Sequence, residues 1–208
     1  MNNLILVGGG GHCKSVIDAA ESAGFKIIAI LDKEKNIGKK ILDYTITGTD
    51  DDIPNYINKG NFIVTVGQIK NSLLRMNLYD KILNFGGKLA TIIASTAYVS
   101  KYAKIDEGTV VLHHALVNAE ANVGKGCIIN SFTNIEHESI IGDYSHISTG
   151  VMINGGCEIG HSVFIGSNST LFQGISVVSN STIGAGSLVN KDILEEGTYI
   201  GNPILRIK

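Results

Sequence analysis

The segment NIEHESIIG, residues 134 to 142, sets His137 between Glu136 and Glu138 in a run that otherwise alternates apolar and polar residues like a strand. An imidazole with an adjacent carboxylate able to fix its tautomer has the parts of a general base. The same residues also fit a solvated polar corner with no chemistry. A second candidate lies near the front, where LILVGGGGH (4 to 12) runs an apolar strand into four glycines. A glycine-rich turn feeding a helix N-terminus suits a phosphate or a ribose. The full dinucleotide fingerprint would need glycine at position 13, where Cys13 stands.

The elements that must position these residues are of two kinds. Counting every sixth residue from Val99 to Val189 gives sixteen consecutive aliphatic positions, among them Val117, Ile135, Ile153 and Leu171. Two residues before each stands a mostly small one, such as Ala115, Thr133, Ser139 or Cys157. One aliphatic and one small inward position per six residues is the signature of a hexapeptide parallel β-helix, in which stacked coils bury a continuous core. With three sides per coil, about 18 residues make a turn and residues 97 to 190 make about five. His137 then falls near a corner, pointing away from the core, with Ala119 below it and Gly155 above. Glu136 stacks between Asn118 and Asn154. Cys127 and Cys157 occupy small inward positions and belong to the core.

The first 95 residues follow a different rhythm. Apolar runs at 4 to 7, 26 to 32, 61 to 67 and 88 to 93 are separated by helix-length stretches, ending near Ala23 and Phe85. That alternation predicts a small Rossmann-like parallel sheet covered by helices. The strand ends carrying Gly10, Gly11, His12, Asp32, Lys33 and Gly67 share one edge, where open α/β sheets bind ligands. The chain divides into residues 1–95, a Rossmann-like α/β domain, and 96–208, the left-handed β-helix. Cys13, at the helix N-terminus, is expected to favour its thiolate.

Composition narrows the function. A formal net charge of -2 with no basic block gives no electrostatic reason to expect nucleic acid or an anionic membrane. No apolar run approaches the ~18 residues of a spanning helix, and the front has no basic region of a secretion signal. A cytoplasmic protein without membrane insertion is expected. Three cysteines without paired spacing fit a reducing compartment and no metal cage.

NIEHESIIGDYSHISTG (134 to 150), the hexapeptide repeats, LILVGGGGH and YIGNP (199 to 203) together resemble the bacterial sugar acetyltransferases related to UDP-4-amino-sugar N-acetyltransferase and to sialic acid O-acetyltransferase. The resemblance implies a homotrimer with acetyl-CoA as cosubstrate, no metal, and a nucleotide-sugar acceptor held by the N-terminal domain. The expected reaction is acetylation of the amino group of a nucleotide-linked 4-amino-4,6-dideoxy sugar, the nucleotide being UDP, dTDP or another. It further implies that His137 is the base, oriented by Glu138. His146 is then supplied by the adjacent chain to meet CoA or the thioester, or is simply buried in the trimer interface. Ser167 and Ala185 match positions whose backbone meets acetyl-CoA, and Gly155 offers an amide to the thioester. Asp32 resembles the acidic residue that accepts from the base; Lys33 replaces the family's second acid. GNP (201 to 203) resembles the closing loop, with PIL in place of the usual PAK.

Three other readings compete. Sialic acid O-acetylation is the alternative within the family. The same β-helix carries zinc-dependent γ-carbonic anhydrases, and zinc needs three convergent ligands. His113, His137 and His161 recur 24 residues apart, one coil plus one side, which scatters them over three sides. A non-catalytic nucleotide-binding scaffold would leave the His137 corner idle.

Overall fold

Short apolar runs flanked by glycine or charge can be buried on both faces only as strands of a covered sheet. In the computed structural model, which describes residues 2–68 and 71–208, they form β1 (Asn3–Val7), β2 (Lys26–Leu31), β3 (Lys40–Ile41), β4 (Tyr44–Gly48) and β5 (Asn61–Val64). The order is β3-β4-β2-β1-β5, parallel except for β3. Helices α1 (Gly11–Ser22) and α2 (Leu73–Asn84) cover it. The third expected strand is shorter than the apolar run, ending at Val64, and Gly67 lies in the loop beyond.

The expected strand over 88 to 93 does not form. Lys88 O and Ala90 N bracket Phe62 in one isolated bridge, and Ile92–Ile93 then pairs with Val110–Val111. The chain leaves the sheet edge here because Ile92 and Ala94 find their hydrogen-bond partners, Thr109 O and Val111 O, on the next structure. The β3–β4 hairpin is an addition to the expected strands; its alternating Tyr-Thr-Ile-Thr run is too short to compete with the longer apolar runs around it.

From Ile92 onward the chain is a left-handed parallel β-helix of two-residue rungs in three parallel sheets. Successive rungs pair 18 residues apart, Asn134–Ile135 with Met152–Ile153 and so on. The expected inward aliphatics from Val111 to Val189 form one continuous buried cluster. Its small inward positions are partly hydroxylated for a reason. Ser139 Oγ donates to Asn154 O (3.1 Å) and accepts from Cys157 N (3.3 Å); Thr109, Ser145 and Ser169 repeat the pattern. Each of these four buried hydroxyls thereby satisfies both of its roles and ties adjacent coils together.

The outward face of the eight-stranded sheet is apolar where the α/β domain sits. Ile92, Val110 and Leu112 pack with Cys13, Ile17 and Ala20 of α1. Tyr144 joins Tyr79 and Ile82 of α2, and Tyr79 OH donates to Gly108 O. The last coil is closed by Thr198–Ile200, paired antiparallel with Leu205–Arg206.

Ile153 is fully buried in the prism, where neighbouring coils leave no room to collapse. Ile153→Ala is expected to lower unfolding stability by about 2 to 5 kcal/mol without altering α/β-domain ligand binding; denaturant unfolding of the purified variant checks it.

Candidate functional site

From position 108 to 186 the third residue after each inward aliphatic adopts a left-handed backbone. Glycine takes this place at 108, 126, 150, 156, 174 and 186, with φ between 62 and 73°. Glu138 takes it with φ 61°, as seven other non-glycine residues do, His114, Phe132 and Tyr144 among them. Glu138 Oε2 meets His137 Nδ1 at 2.9 Å. Both side chains remain accessible, 55% and 65%. A carboxylate on Nδ1 holds the proton there and leaves Nε2 as the base.

The imidazole lies directly over Gly155. A Cβ at that glycine would come 2.5 Å from His137 Cε1 and 2.7 Å from Nε2. The space above the histidine is thus filled by the ring itself rather than left open. Among the described residues no backbone carbonyl accepts from the Gly155 N–H, which is left beside the imidazole. Glu136 has a different task. It accepts from Asn134 Nδ2 (2.9 Å) and Asn118 Nδ2 (2.7 Å), and these bonds hold its carboxyl below the usual range. Asn154 turns instead to Leu171 O, 2.8 Å away.

The second feature is a cleft of about 1090 Å³ at the carboxyl ends of β1, β2 and β5. Gly10, Gly11, His12, Asp32, Lys33 and Gly67 all line it. Gly8 is required by its φ of 116°, and Gly9 because a Cβ would meet Asp32 Oδ2 at 2.9 Å. Gly10 caps α1 without a side-chain bond, and the first turn carries no acid, so its N–H groups face the cleft unneutralised. Asp32 Oδ2 accepts from Asn36 Nδ2 (2.7 Å), and Asn36 Oδ1 from Lys39 Nζ (2.7 Å). Asn36, Lys35 and Lys39 line the cleft but sit beyond the strand end that marked Asp32. A polar turn after β2 was their only signal in the sequence.

His146 closes the cleft from the β-helix side. It is buried (8% exposed), but the interface that buries it is between the two domains of its own chain. Its Nδ1 lies 2.9 Å from Gln68 O, Phe164 meets it edge-on and His12 stands 6.3 Å away. Gln68 Nε2 donates to Ser162 O, and Gln68 Oε1 accepts from Arg75 Nη2 at 2.7 Å. Arg75 also donates to Tyr144 O. It is 1% exposed, and no salt bridge among the described residues reaches it. A guanidinium buried without a counterion is destabilising by several kcal/mol. Neither Gln68 nor Arg75 was a sequence candidate, since one polar residue in an amphipathic stretch carries no signal of its own.

The other candidates are separate. His137 stands at the corner between the two sheets on which the α/β domain does not pack, so the His137 corner and the cleft are on different sides of one chain. Gly155 shares its corner. Ser167 and Ala185 stack at a third corner, above Ser131 and Thr149, where Ser167 Oγ lies 2.9 Å from Ser148 Oγ. His113 bonds Thr96 and Asp18, and His161 Nδ1 accepts from Asp143 N, each apart from His137. Among the described residues no three His, Cys, Asp or Glu side chains converge as metal ligands, and no helix is long and apolar enough to cross a membrane. The expected thiolate at Cys13 is corrected: burial pushes its pKa up to about 11, outweighing the helix terminus and a bond from Thr65.

Comparison with known proteins agrees with this layout. Residues 3–82 match the PglD N-terminal domain, 138–173 the bacterial transferase hexapeptide of six repeats, and 157–191 the hexapeptide repeat of succinyl-transferase. The structure of PerB from Caulobacter crescentus in complex with CoA and GDP-perosamine is 26% identical, with TM-score 0.92, over 100% of this chain and 98% of that one. The acetyltransferase domain of PglB from Neisseria gonorrhoeae FA1090, in complex with acetyl coenzyme A, is 28% identical over 100% of both chains, also at 0.92. WeeI from Acinetobacter baumannii AYE, 18% identical with TM-score 0.83, shares the fold.

Burial sets the charge of the cleft. It pushes His12 down to about 3, with repulsion from His146 and Arg75 adding to it. It pushes His146 down to about 4, against the Gln68 carbonyl and with help from Arg75. Both are neutral at pH 7. The unfolded chain, with ordinary histidines, takes up protons below about 6.5 that the folded chain refuses, so their contribution is complete above that pH and is lost as pH falls toward 4. The expected slope is up to about 1.4 kcal/mol per pH unit for each histidine. Urea unfolding at pH 7 and 5 checks it: His146→Asn is expected to lose less stability between the two than the parent.

Proposed function

We propose that the chain is a hexapeptide-repeat sugar acetyltransferase, an acetyl-CoA-dependent acyltransferase that acetylates the amino group of a nucleotide-linked 4-amino-4,6-dideoxy sugar with His137 as general base. The observation that carries this reading is the His137–Glu138 pair seated over the bare Gly155 backbone. It is supported by the CoA and GDP-perosamine held by the Caulobacter structure.

The cosubstrate supplies an acetyl group activated as a thioester. The remaining chemistry falls to this chain. As the amine attacks the thioester carbon it must lose a proton, which His137 Nε2 takes while Glu138 steadies the imidazolium. The Gly155 N–H faces the charge that develops on the thioester oxygen. No covalent acyl-enzyme is needed. The α/β domain, residues 1–95, holds the nucleotide, its diphosphate at the Gly8–Gly11 turn and its base beside Asp32. Lys33, Lys35 and Lys39 add positive charge on the same wall. Residues 96–208 hold CoA, with Ser167 and Ala185 along its groove.

This division requires association. One chain keeps cleft and base on different sides, so the acceptor in one cleft meets His137 of a second copy in a homotrimer, with His146 and His137 contributed by different chains.

His137→Ala is expected to lower turnover by about 10²- to 10⁴-fold with CoA affinity intact; steady-state kinetics with acetyl-CoA and UDP-, dTDP- and GDP-linked 4-amino sugars checks it. Glu138→Ala is expected to lower turnover less, since it moves no proton. Asp32→Ala is expected to weaken acceptor binding and leave CoA binding unchanged, read by calorimetry. Mixing His137→Ala chains with Asp32→Ala chains is expected to restore activity through mixed interfaces. Efficient acetylation of free sialic acid without nucleotide binding would replace this reading with O-acetylation.

A further inference from the structure

The buried Arg75 has no counterion, and the family reading gives it no task. Its contacts suggest one. Arg75 Nη2 holds the Gln68 side chain at 2.7 Å, and its hold on Tyr144 O ties α2 to the corner beside His146. Gln68 is thus fixed at both ends, by Arg75 and by Ser162 O, with its backbone carbonyl aimed at His146 Nδ1. A carbonyl oxygen only accepts, so the 2.9 Å contact requires a proton on Nδ1. The groups facing His146 are the guanidinium of Arg75 from α2 and the neutral imidazole of His12 from α1, and neither supplies a negative charge. The Phe164 ring covers the third side. The ring therefore stays neutral. Its Nε2, buried and without a partner, is left as a bare lone pair in the cleft.

We propose that Arg75 is a positioning residue: through Gln68 it locks His146 as the neutral Nδ1–H tautomer, so that Nε2 accepts a hydrogen bond from a hydroxyl or amine hydrogen of the acceptor sugar. The lone pair decides the partner. A thioester carbonyl has no hydrogen to give, and ionised phosphate oxygens would meet it lone pair to lone pair. The diphosphate accordingly belongs at the Gly8–Gly11 turn, and the sugar, with its hydrogens, reaches the His146 wall. The identity of the ligand rests on the acetyl-transfer reading above; the lock does not.

The test uses full-length protein with ¹⁵N-labelled histidine. Two-bond ¹⁵N–¹H spectra are expected to show His146 of the wild type as the Nδ1–H tautomer from pH 6 to 8. A UDP- or GDP-linked 4-amino sugar is expected to shift its Nε2, whereas UDP, GDP or CoA alone leaves it in place. Arg75→Gln is expected to mix the tautomers, move the titration of His146 up toward the ordinary range, and raise the acceptor KM roughly 10-fold, as for one lost neutral hydrogen bond. Turnover at saturating acceptor and the CoA dissociation constant are expected to stay within about 3-fold. Arg75→Lys, which keeps the charge, is expected to recover the neutral ring in part. An Nε2–H tautomer or an imidazolium in the wild type overturns the proposal, as does a shift of Nε2 by CoA or by UDP alone. A folded Arg75→Gln chain with unchanged tautomer and KM also overturns it. Should Arg75→Gln fail to fold, the wild-type spectra decide alone. Failure of every nucleotide sugar to bind would refute the acetyl-transfer reading and the assigned hydrogen-bond donor, while the tautomer spectra still judge the lock.

Discussion

Everything in this molecule depends on coils stacking at a fixed spacing. A parallel β-helix closes each turn only if every side has the same length and each inward position the same volume. Sequence freedom is therefore confined to the corners and the outward rung positions. The core tolerates one aliphatic and one small residue per side, and the hydroxyls of Ser139, Ser145 and Ser169 bridge to the next coil. Side chains that project away from such a frame are placed with the precision of the frame. A site built on it needs few supporting contacts of its own.

The corner at His137 shows how that precision is used. Two neighbours frame the imidazole there, Glu138, whose carboxylate meets Nδ1, and Gly155, where a side chain would displace the ring. Glu136, which the sequence makes look equivalent to Glu138, is consumed by two asparagine amides.

The opposite situation holds at the junction of the domains. There the frame is covered, and burial rather than exposure controls the chemistry. His12, His146 and Arg75 share an apolar, acid-poor volume in which adding protons is unfavourable, so both imidazoles are neutral and present lone pairs. Such a wall selects for hydrogen-bond donors, while the open first turn of α1 on the other side of the same cleft selects for negative charge. One cleft thus offers two chemically distinct ends, which suits a ligand that is anionic at one end and hydroxyl-rich at the other.

The repeat, the corner position of His137, its stacking under Gly155 and the strand-end cluster around Asp32 were legible in the sequence, because each depends on spacing along a periodic or alternating chain. The end of the α/β sheet was not: the apolar run 88 to 93 reads as a strand wherever it is placed, and which structure takes its hydrogen bonds depends on the neighbouring domain. Nor could spacing decide where His146 faces. An outward rung residue meets solvent, a second chain or its own front domain according to how the domains dock. That docking also brought Gln68, with Arg75 behind it, against a ring 78 residues later in the chain. Local periodicity is written in the order of residues, whereas desolvation and tautomer are properties of the surroundings, and only the folded chain supplies those.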